Sequence, residues 1–310
     1  MHKPRRALVL GCGGVLGGAW TIAALESLER ELGWDAREAD LLIGTSVGAV
    51  LAALLGAGVP VTQMVASQLG TAPDCVWNHD RDTGGIFPPL PRAKLIAPHW
   101  LTSRQPSNLS WFSAAVGLLP EGSADMSGFR RLINHAVPDG TWVKHPNTWM
   151  MAVDQDSGER VALGKAGSPK PPIADAVCAS YGVPAWCPPV QIEGRRYVDG
   201  GIASPTSADF VLGQAIDEVI VLAPMASHDL DRPLPLTPAW IERQVRRYMT
   251  QVVDAEVAKL RQAGLKVMVI DPTAADLQAI GYNLMDYHRR LEVFVTARQT
   301  STAVVRAQQA

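Results

Sequence analysis

LLIGTSVGAVLAALL, residues 41–55, is the stretch on which the reading of the fold turns. LLIG is a short apolar run of the kind that forms a strand buried on both faces. Thr45 and Ser46 make a sharp turn, and the Ala- and Leu-rich run from Val47 to Gly56 predicts a helix directly behind it. Gly44, Ser46 and Gly48 spell GxSxG, an elbow in which glycines stand where side chains would clash and the hydroxyl is exposed at the carboxyl edge of the sheet. The helix that follows points its N-terminus at that hydroxyl and favours negative charge developing there. Gly and Ser are common in turns, so it is the strand before and the helix after that favour Ser46 as a nucleophile.

Upstream, ALVL at 7–10 reads as a buried strand, GCGGVLGG at 11–18 as a turn, and Ala19 to Leu32 as a helix. Strand, turn and helix therefore occur twice in succession, which favours a mainly parallel sheet covered by helices. Consecutive backbone amides at a helix start, freed of side chains, can donate to an oxyanion. The same turn could be a close-packed connection or a dinucleotide loop. Against the loop, Leu16 occupies the last glycine position counted from Gly11, and the second strand runs into GTS without an acidic residue.

Downstream, periodicity fails between residues 71 and 121, where Pro and Gly accumulate around Trp77, Trp100 and Trp111. A lid or covering insertion is expected there, because Trp favours boundaries between apolar and wet phases, although each Trp could equally fill the core. Helices are expected near Ser127 to Ala136, at Ile173 to Ser180, from Pro238 to Gly264 and from Leu284 to Val305. Strands are expected at Thr148 to Val153, through Val161 and Leu163, in DEVIVLAP and in KVMVIDP. VQIEGRRYV at 190–198 reads as a hairpin that delivers the chain to Asp199. Asp199, followed by Gly200 and Gly201, could aim a carboxylate into a site; alone, an Asx turn explains it as well. With no repeat and no linker, residues 1–310 read as one domain.

The charge of −2 gives no basic surface for nucleic acid, and 47% hydrophobic with 19% charged residues suits a globular chain. Cys12, Cys75, Cys178 and Cys187 are scattered, without zinc spacing or a disulfide framework, and read as buried thiols; no metal or cofactor is expected. HKPRR before ALVLGCGG imitates a signal peptide, but glycines interrupt the run and cleavage would remove the glycine turn. A cytoplasmic protein with peripheral membrane contact is the expectation. The apolar run from Val47 to Val61 is too short for a membrane span and contains Pro60. Arg243, Arg246 and Arg247 form a basic helix face that reads as solvated, with anionic lipid as the other option. A Ser–His triad would need a late histidine, and only His228 and His288 lie near a strand end or helix.

Taken together, the glycine turn, GTSVG and YVDGGI resemble the patatin-like phospholipase family, whose pattern is a glycine-rich oxyanion loop, GxSxG, and a DGG or DGA motif carrying the base. AVCASYGVPAWCPPVQIEGRRYVDGG, residues 176–201, resembles that family's helix, Ser and Pro turn, and hairpin. The likeness is specific over residues 7–58 and 173–203. It implies a three-layer α/β/α sandwich and a metal-free serine acyl hydrolase of lipid esters, of phospholipase A, lysophospholipase or lipid esterase type. Carried onto this chain, it makes Ser46 the nucleophile, Asp199 the general base, and the amides of Gly13, Gly14 and Val15 the oxyanion hole. Gly11, Gly17, Gly44, Gly48, Gly200 and Gly201 are the motif glycines. Cys12 stands where the family has its first loop glycine and Leu16 where it has Arg or Lys, which keeps neutral esters and thioesters open as substrates. IASPTSAD replaces the more usual Asn-rich stretch after DGG. A free carboxylate is a feeble base for a hydroxyl, so Asp199 needs partial burial and Ser46 the helix dipole. A His-dependent esterase or thioesterase, or a non-catalytic nucleotide-binding protein using the 11–18 loop, are the alternatives.

Overall fold

The computed structural model describes residues 3–73, 76–101, 110–229 and 231–309. The chain opens with β1 (Arg6–Leu10), α1 (Gly14–Leu32), β2 (Leu41–Thr45), α2 (Val47–Gly56) and α3 (Val61–Leu69). The irregular stretch that follows contains α4 (Trp111–Val116) and leads to α5 (Ser127–Ala136). Next come β3 (Thr148–Asp154), β4 (Arg160–Leu163), α6 (Ile173–Ser180), β5 (Val190–Ile192) and β6 (Arg195–Asp199). The last part holds β7 (Glu218–Leu222), α7 (Pro238–Gln262), β8 (Lys266–Ile270), α8 (Ala274–Ile280) and α9 (Arg290–Gln309).

The described strands build one eight-stranded sheet with a parallel centre in the order β3, β2, β1, β7, β8. Strands β4, β5 and β6 add an antiparallel flank around β3. The two-residue period of a strand divides the apolar side chains between two cores. Leu8, Leu10, Leu42 and Ile220 face a core built with α1, α2, α5, α6 and α9; Val9, Ile43, Val219 and Val221 face one closed by Val253, Val257 and Leu260 of α7. Both faces of the central strands are thus covered, as their continuous apolar runs require, and the result is a three-layer α/β/α sandwich.

Strand β3 joins the two halves of the sheet. Strand β4 occupies one of its edges from Met150 to Val153, so β2 and β6 must share the other. β2 pairs with it as far as Thr45 opposite Met151, and β6 takes over with Asp199 opposite Ala152. The turn that ends β2 and the end of β6 therefore meet at adjacent register positions.

Several boundaries differ from expectation. Helix α1 starts at Gly14, not Ala19, because the glycine turn closes its own first turn, with Gly17 N donating to Gly13 O at 2.9 Å. The C-terminal helix starts at Arg290, after a short turn at Tyr287–Arg289. Helices α3, α4 and α8 were not expected. Trp100 is buried while Trp111 is 73% exposed, so residues of the 71–121 stretch divide between core and surface; residues 74, 75 and 102–109 lie outside the described residues. Cys12, Cys178 and Cys187 are buried thiols, and Cys75 lies outside the described residues. Arg243 and Arg246 are not a solvated face. Both are buried, Arg243 paired with Asp231 and Glu242, and Arg246 with Glu242, so only Arg247 is left exposed. No helix among the described residues is long and apolar enough to cross a membrane.

Candidate active site

Ser46 sits at the handover on β3, with φ 58° and ψ −122°, a conformation that an L-residue adopts only when its surroundings enforce it. The enforcement comes from both neighbours. A Cβ on Gly48 would lie 2.0 Å from Leu10 O, and one on Gly44 would lie 2.4 Å from Gly48 O, so the elbow closes only with glycine at both places. Ser46 N donates to Ser180 Oγ at 2.9 Å, and Ser180 Oγ donates in turn to Met151 O at 2.6 Å. The Ser180 hydroxyl thus pins the turn to the strand on which Asp199 is also registered.

Asp199 ends β6 and is 4% exposed. Burial pushes its carboxyl up to about 7, while hydrogen bonds from the Ser46 hydroxyl and the Gly201 amide pull the other way. Gly201 N donates to Oδ1 at 2.7 Å, the Asx-type contact that the following glycines permit. Desolvation dominates, and it makes this carboxylate a better proton acceptor than an ordinary aspartate. Gly200 lies against Met151 O, and Gly201 packs against both Asp199 and Cys12, which brings the β6 end up to the glycine turn.

In that turn the backbone donors divide sharply. Gly11 N donates to Leu222 O, Cys12 N to Pro205 O, Leu16 N to Leu284 O and Gly17 N to Gly13 O. Among the described residues, the N–H groups of Gly13, Gly14 and Val15 have no acceptor. They are the free donors of a helix N-terminus, where the macrodipole adds positive potential. Leu16 is fully buried in the core beneath the turn and offers no charge to a ligand.

Two contributions have tasks that the sequence leaves unassigned. One is Ser180, whose role depends on meeting Ser46 and Met151. The other is Glu256, in the C-terminal part of α7 and 4% exposed. Ser204 Oγ donates to its Oε1 at 2.6 Å; Thr206 Oγ1 and Ala208 N donate to its Oε2 at 2.7 and 2.9 Å; Arg160 Nη1 lies 3.0 Å away. The loop so held carries Pro205 O, which accepts from Cys12 N, and Thr206 O, which accepts from Thr45 Oγ1. One carboxylate therefore braces the glycine turn and the strand before Ser46 together.

The two late histidines are engaged elsewhere. His228 bonds Asp271 at 2.7 Å and Asp254 at 3.0 Å through its two ring nitrogens, and His288 bonds Asp286. Above the glycine turn, Phe112 of α4 packs against Tyr248 of α7, with Cys12, Met225 and Met249 beneath them. A cavity of about 300 Å³, lined by Val15 and Val47 among others, lies between α1, α2, α3 and α5. A strained serine, a carboxylate of raised pKa and free amides on one sheet edge can attack, deprotonate and stabilise at an ester carbonyl.

No curated protein matches the chain. Among solved structures, VipD from Legionella pneumophila is similar, at 13% sequence identity and a TM-score of 0.47, over 99% of this chain and 67% of that one. The family model described as patatin-like phospholipase matches residues 8–212, well over half of the chain. The chain belongs to the patatin-like phospholipase family, a family of lipid acyl hydrolases.

Proposed function

We propose that the protein is a serine acyl hydrolase of lipid esters, of phospholipase A, lysophospholipase or lipid esterase type, working with a Ser46–Asp199 dyad. The observation that carries this reading is the pairing of the elbow serine with a buried carboxylate raised to about 7. Asp199 takes the proton of Ser46 Oγ as that oxygen bonds to the ester carbonyl carbon. The carbonyl oxygen becomes an oxyanion held by the Gly13, Gly14 and Val15 amides, each such donor contributing about 10²–10³ in rate. Collapse of the tetrahedral species breaks the bond to the leaving alcohol, which takes the proton from Asp199 and leaves an acyl-enzyme. Asp199 then deprotonates a water, whose attack frees the fatty acid and returns Ser46.

The buried, uncharged Leu16 supports neutral esters and thioesters as substrates beside phospholipids. The carboxylates that hold His228 and His288 favour the dyad over a histidine-dependent triad. We read the chain as one acyl hydrolase domain in which described residues of the 71–121 stretch, α4 among them, cover the site, with exposed Trp111 making peripheral contact with membrane.

A fluorophosphonate probe followed by mass analysis tests the nucleophile, and the expected result is one adduct on Ser46 that Ser46→Ala abolishes. Replacing Asp199 by Asn with every histidine intact should lower kcat by about 10²–10⁴. Full activity in that variant would exclude the dyad. An unlabelled Ser46 in folded protein would remove the enzymatic reading altogether.

A further inference from the structure

We infer that Arg246 is a positioning residue of the proposed reaction, holding Pro224 against the glycine turn and so fixing the Gly13, Gly14 and Val15 amides; this rests on the hydrolase reading above. Residues 11–18, GCGGVLGG, carry no charged side chain, and glycine backbone left to itself is the most pliable in a chain. A turn of such residues keeps one shape only when outside groups impose it. One support is the Pro224 ring. A Cβ on Gly13 would lie 3.0 Å from its Cγ, one on Gly11 3.2 Å from its Cδ and one on Gly17 3.3 Å from its Cβ, so three glycines of the turn rest on a single proline. Pro224 follows closely on Leu222, whose carbonyl takes the Gly11 N–H at 2.9 Å.

Arg246 fixes that proline through its carbonyl. The side chain is fully buried, and its Nη1 donates to Pro224 O at 2.6 Å and to Ala226 O at 3.2 Å. The rest of the guanidinium, Nε and Nη2, donates to Glu242 Oε1 at 3.0 and 2.7 Å. Glu242 Oε2 accepts from Arg243, which also donates to Leu277 O at 2.8 Å and Gly281 O at 2.9 Å. Shortly after Gly281, Leu284 O accepts from Leu16 N at 3.0 Å and lies 3.0 Å from where a Cβ on Gly14 would stand. This second support of the turn is thus tied to the same carboxylate. Arg243 and Arg246 face Glu242 and Asp231, so the cluster is balanced in charge and adds little field at the turn. Its effect is on position, and for an oxyanion donor position decides: a displacement of about 1 Å costs about 10² in rate. The planar fork of arginine serves the carbonyls and the carboxylate together, whereas a lysine ammonium is a single point.

The test is Arg246→Lys, with a fluorophosphonate titre to count active sites, 4-nitrophenyl butanoate as a short soluble ester, and a trifluoromethyl ketone of matching chain length as inhibitor. Ser46 Oγ adds to the ketone carbon and its proton passes to Asp199, while the ketone oxygen becomes an alkoxide on the turn amides. The ketone therefore reads the turn as the tetrahedral species does, and ground-state binding of the ester does not. In Arg246→Lys, kcat per titrated site should fall about 10- to 100-fold and the inhibition constant should rise by a similar factor, with KM changed about twofold or less. Pro224→Ala leaves the arginines in place and should give the same pattern, and it carries the test if the lysine variant fails to fold. An inhibition constant unchanged in either folded variant, whatever its titre, would make Arg246 a fold residue only and overturn the assignment while leaving the hydrolase reading intact. A wild type that takes up neither fluorophosphonate nor ketone would sink the hydrolase reading, and this one with it.

Discussion

A carboxyl group that must accept a proton from a hydroxyl gains from being held out of water, and Asp199 shows what that costs the fold. Its value of about 7 lies above the ordinary 3.8 of an unfolded aspartate, with burial as the largest cause. Between about pH 4 and pH 7 the native state keeps a proton that the unfolded chain has released, so stability falls as pH rises through this window and stays reduced above it. Asp199→Asn, which mimics the protonated form, is therefore expected to be more stable than wild type at pH 8, by up to about 4 kcal/mol. Urea unfolding at several pH values checks this, since the difference must shrink to nothing below about pH 4. Wild-type kcat/KM should rise with pH and level off above about 7, as the base loses its proton. Equal stability of the two proteins at pH 8 would mean that the carboxylate is better solvated than its burial implies. At this scale the sequence was legible where chemistry depends on immediate neighbours: Ser46 between Gly44 and Gly48, Asp199 before two glycines. It marked Ser180 only as part of the resemblance of residues 176–201 and not by its task, because that serine acquires its meaning from Ser46 and Met151, which the fold alone brings to it.

Elements, rather than single side chains, hold the site in register, and the loop at 203–208 bears most on this. Glu256→Ala would free the Ser204 and Thr206 hydroxyls and the Ala208 amide at once, and leave Arg160 with Asp209 alone. Removing one member of such a buried charged network costs about 3–5 kcal/mol. Steady-state kinetics on a short soluble ester should show a fall in kcat larger than the change in KM, because the glycine turn and the elbow lose a common brace. Glu256→Gln keeps part of the hydrogen bonding and should recover part of kcat. Proportional changes in kcat and KM would make Glu256 a fold residue only. Strands and long helices were readable from their apolar period, and the hairpin before Asp199 from its Glu193-Gly194 turn. The start of α1 was not, since glycines that permit a turn equally permit the first helical turn that Gly13 and Gly17 close. The short α8 escaped for want of length, although Thr273 and Asp276 form a capping box that marks it. Arg243 and Arg246 looked like a wet face because a local partner such as Glu242, four residues before Arg246, is also common on solvated helices, whereas Asp231 and the carbonyls of Pro224, Ala226, Leu277 and Gly281 reach them only once α7 is packed.

On the scale of the whole molecule, the two cores leave one side of the sheet edge to be covered by α4, whose Ser113 hydroxyl donates to Ile202 O at 2.9 Å, just past the DGG motif. Trp111 stands outward from this cover, packed only partly on Tyr248 with centroids 5.8 Å apart. An indole so placed suits the boundary between lipid and water. Trp111→Ser should lower the hydrolysis of phospholipid in vesicles several-fold relative to that of a soluble short-chain ester. An unchanged ratio in vesicle and soluble assays would detach Trp111 from the membrane role.

The handover on β3 also has a consequence in time. Strand β2 and its elbow emerge early in synthesis, but the edge of β3 that β6 completes, and the Asp199 at its end, come only after half the chain has followed. Contacts between such distant segments form late, since the intervening loop must close before they contribute. A nascent or partly folded chain therefore carries Ser46 without Asp199 beside it. Under the proposed dyad, such a chain is silent, and its chemistry switches on only when the sheet is whole.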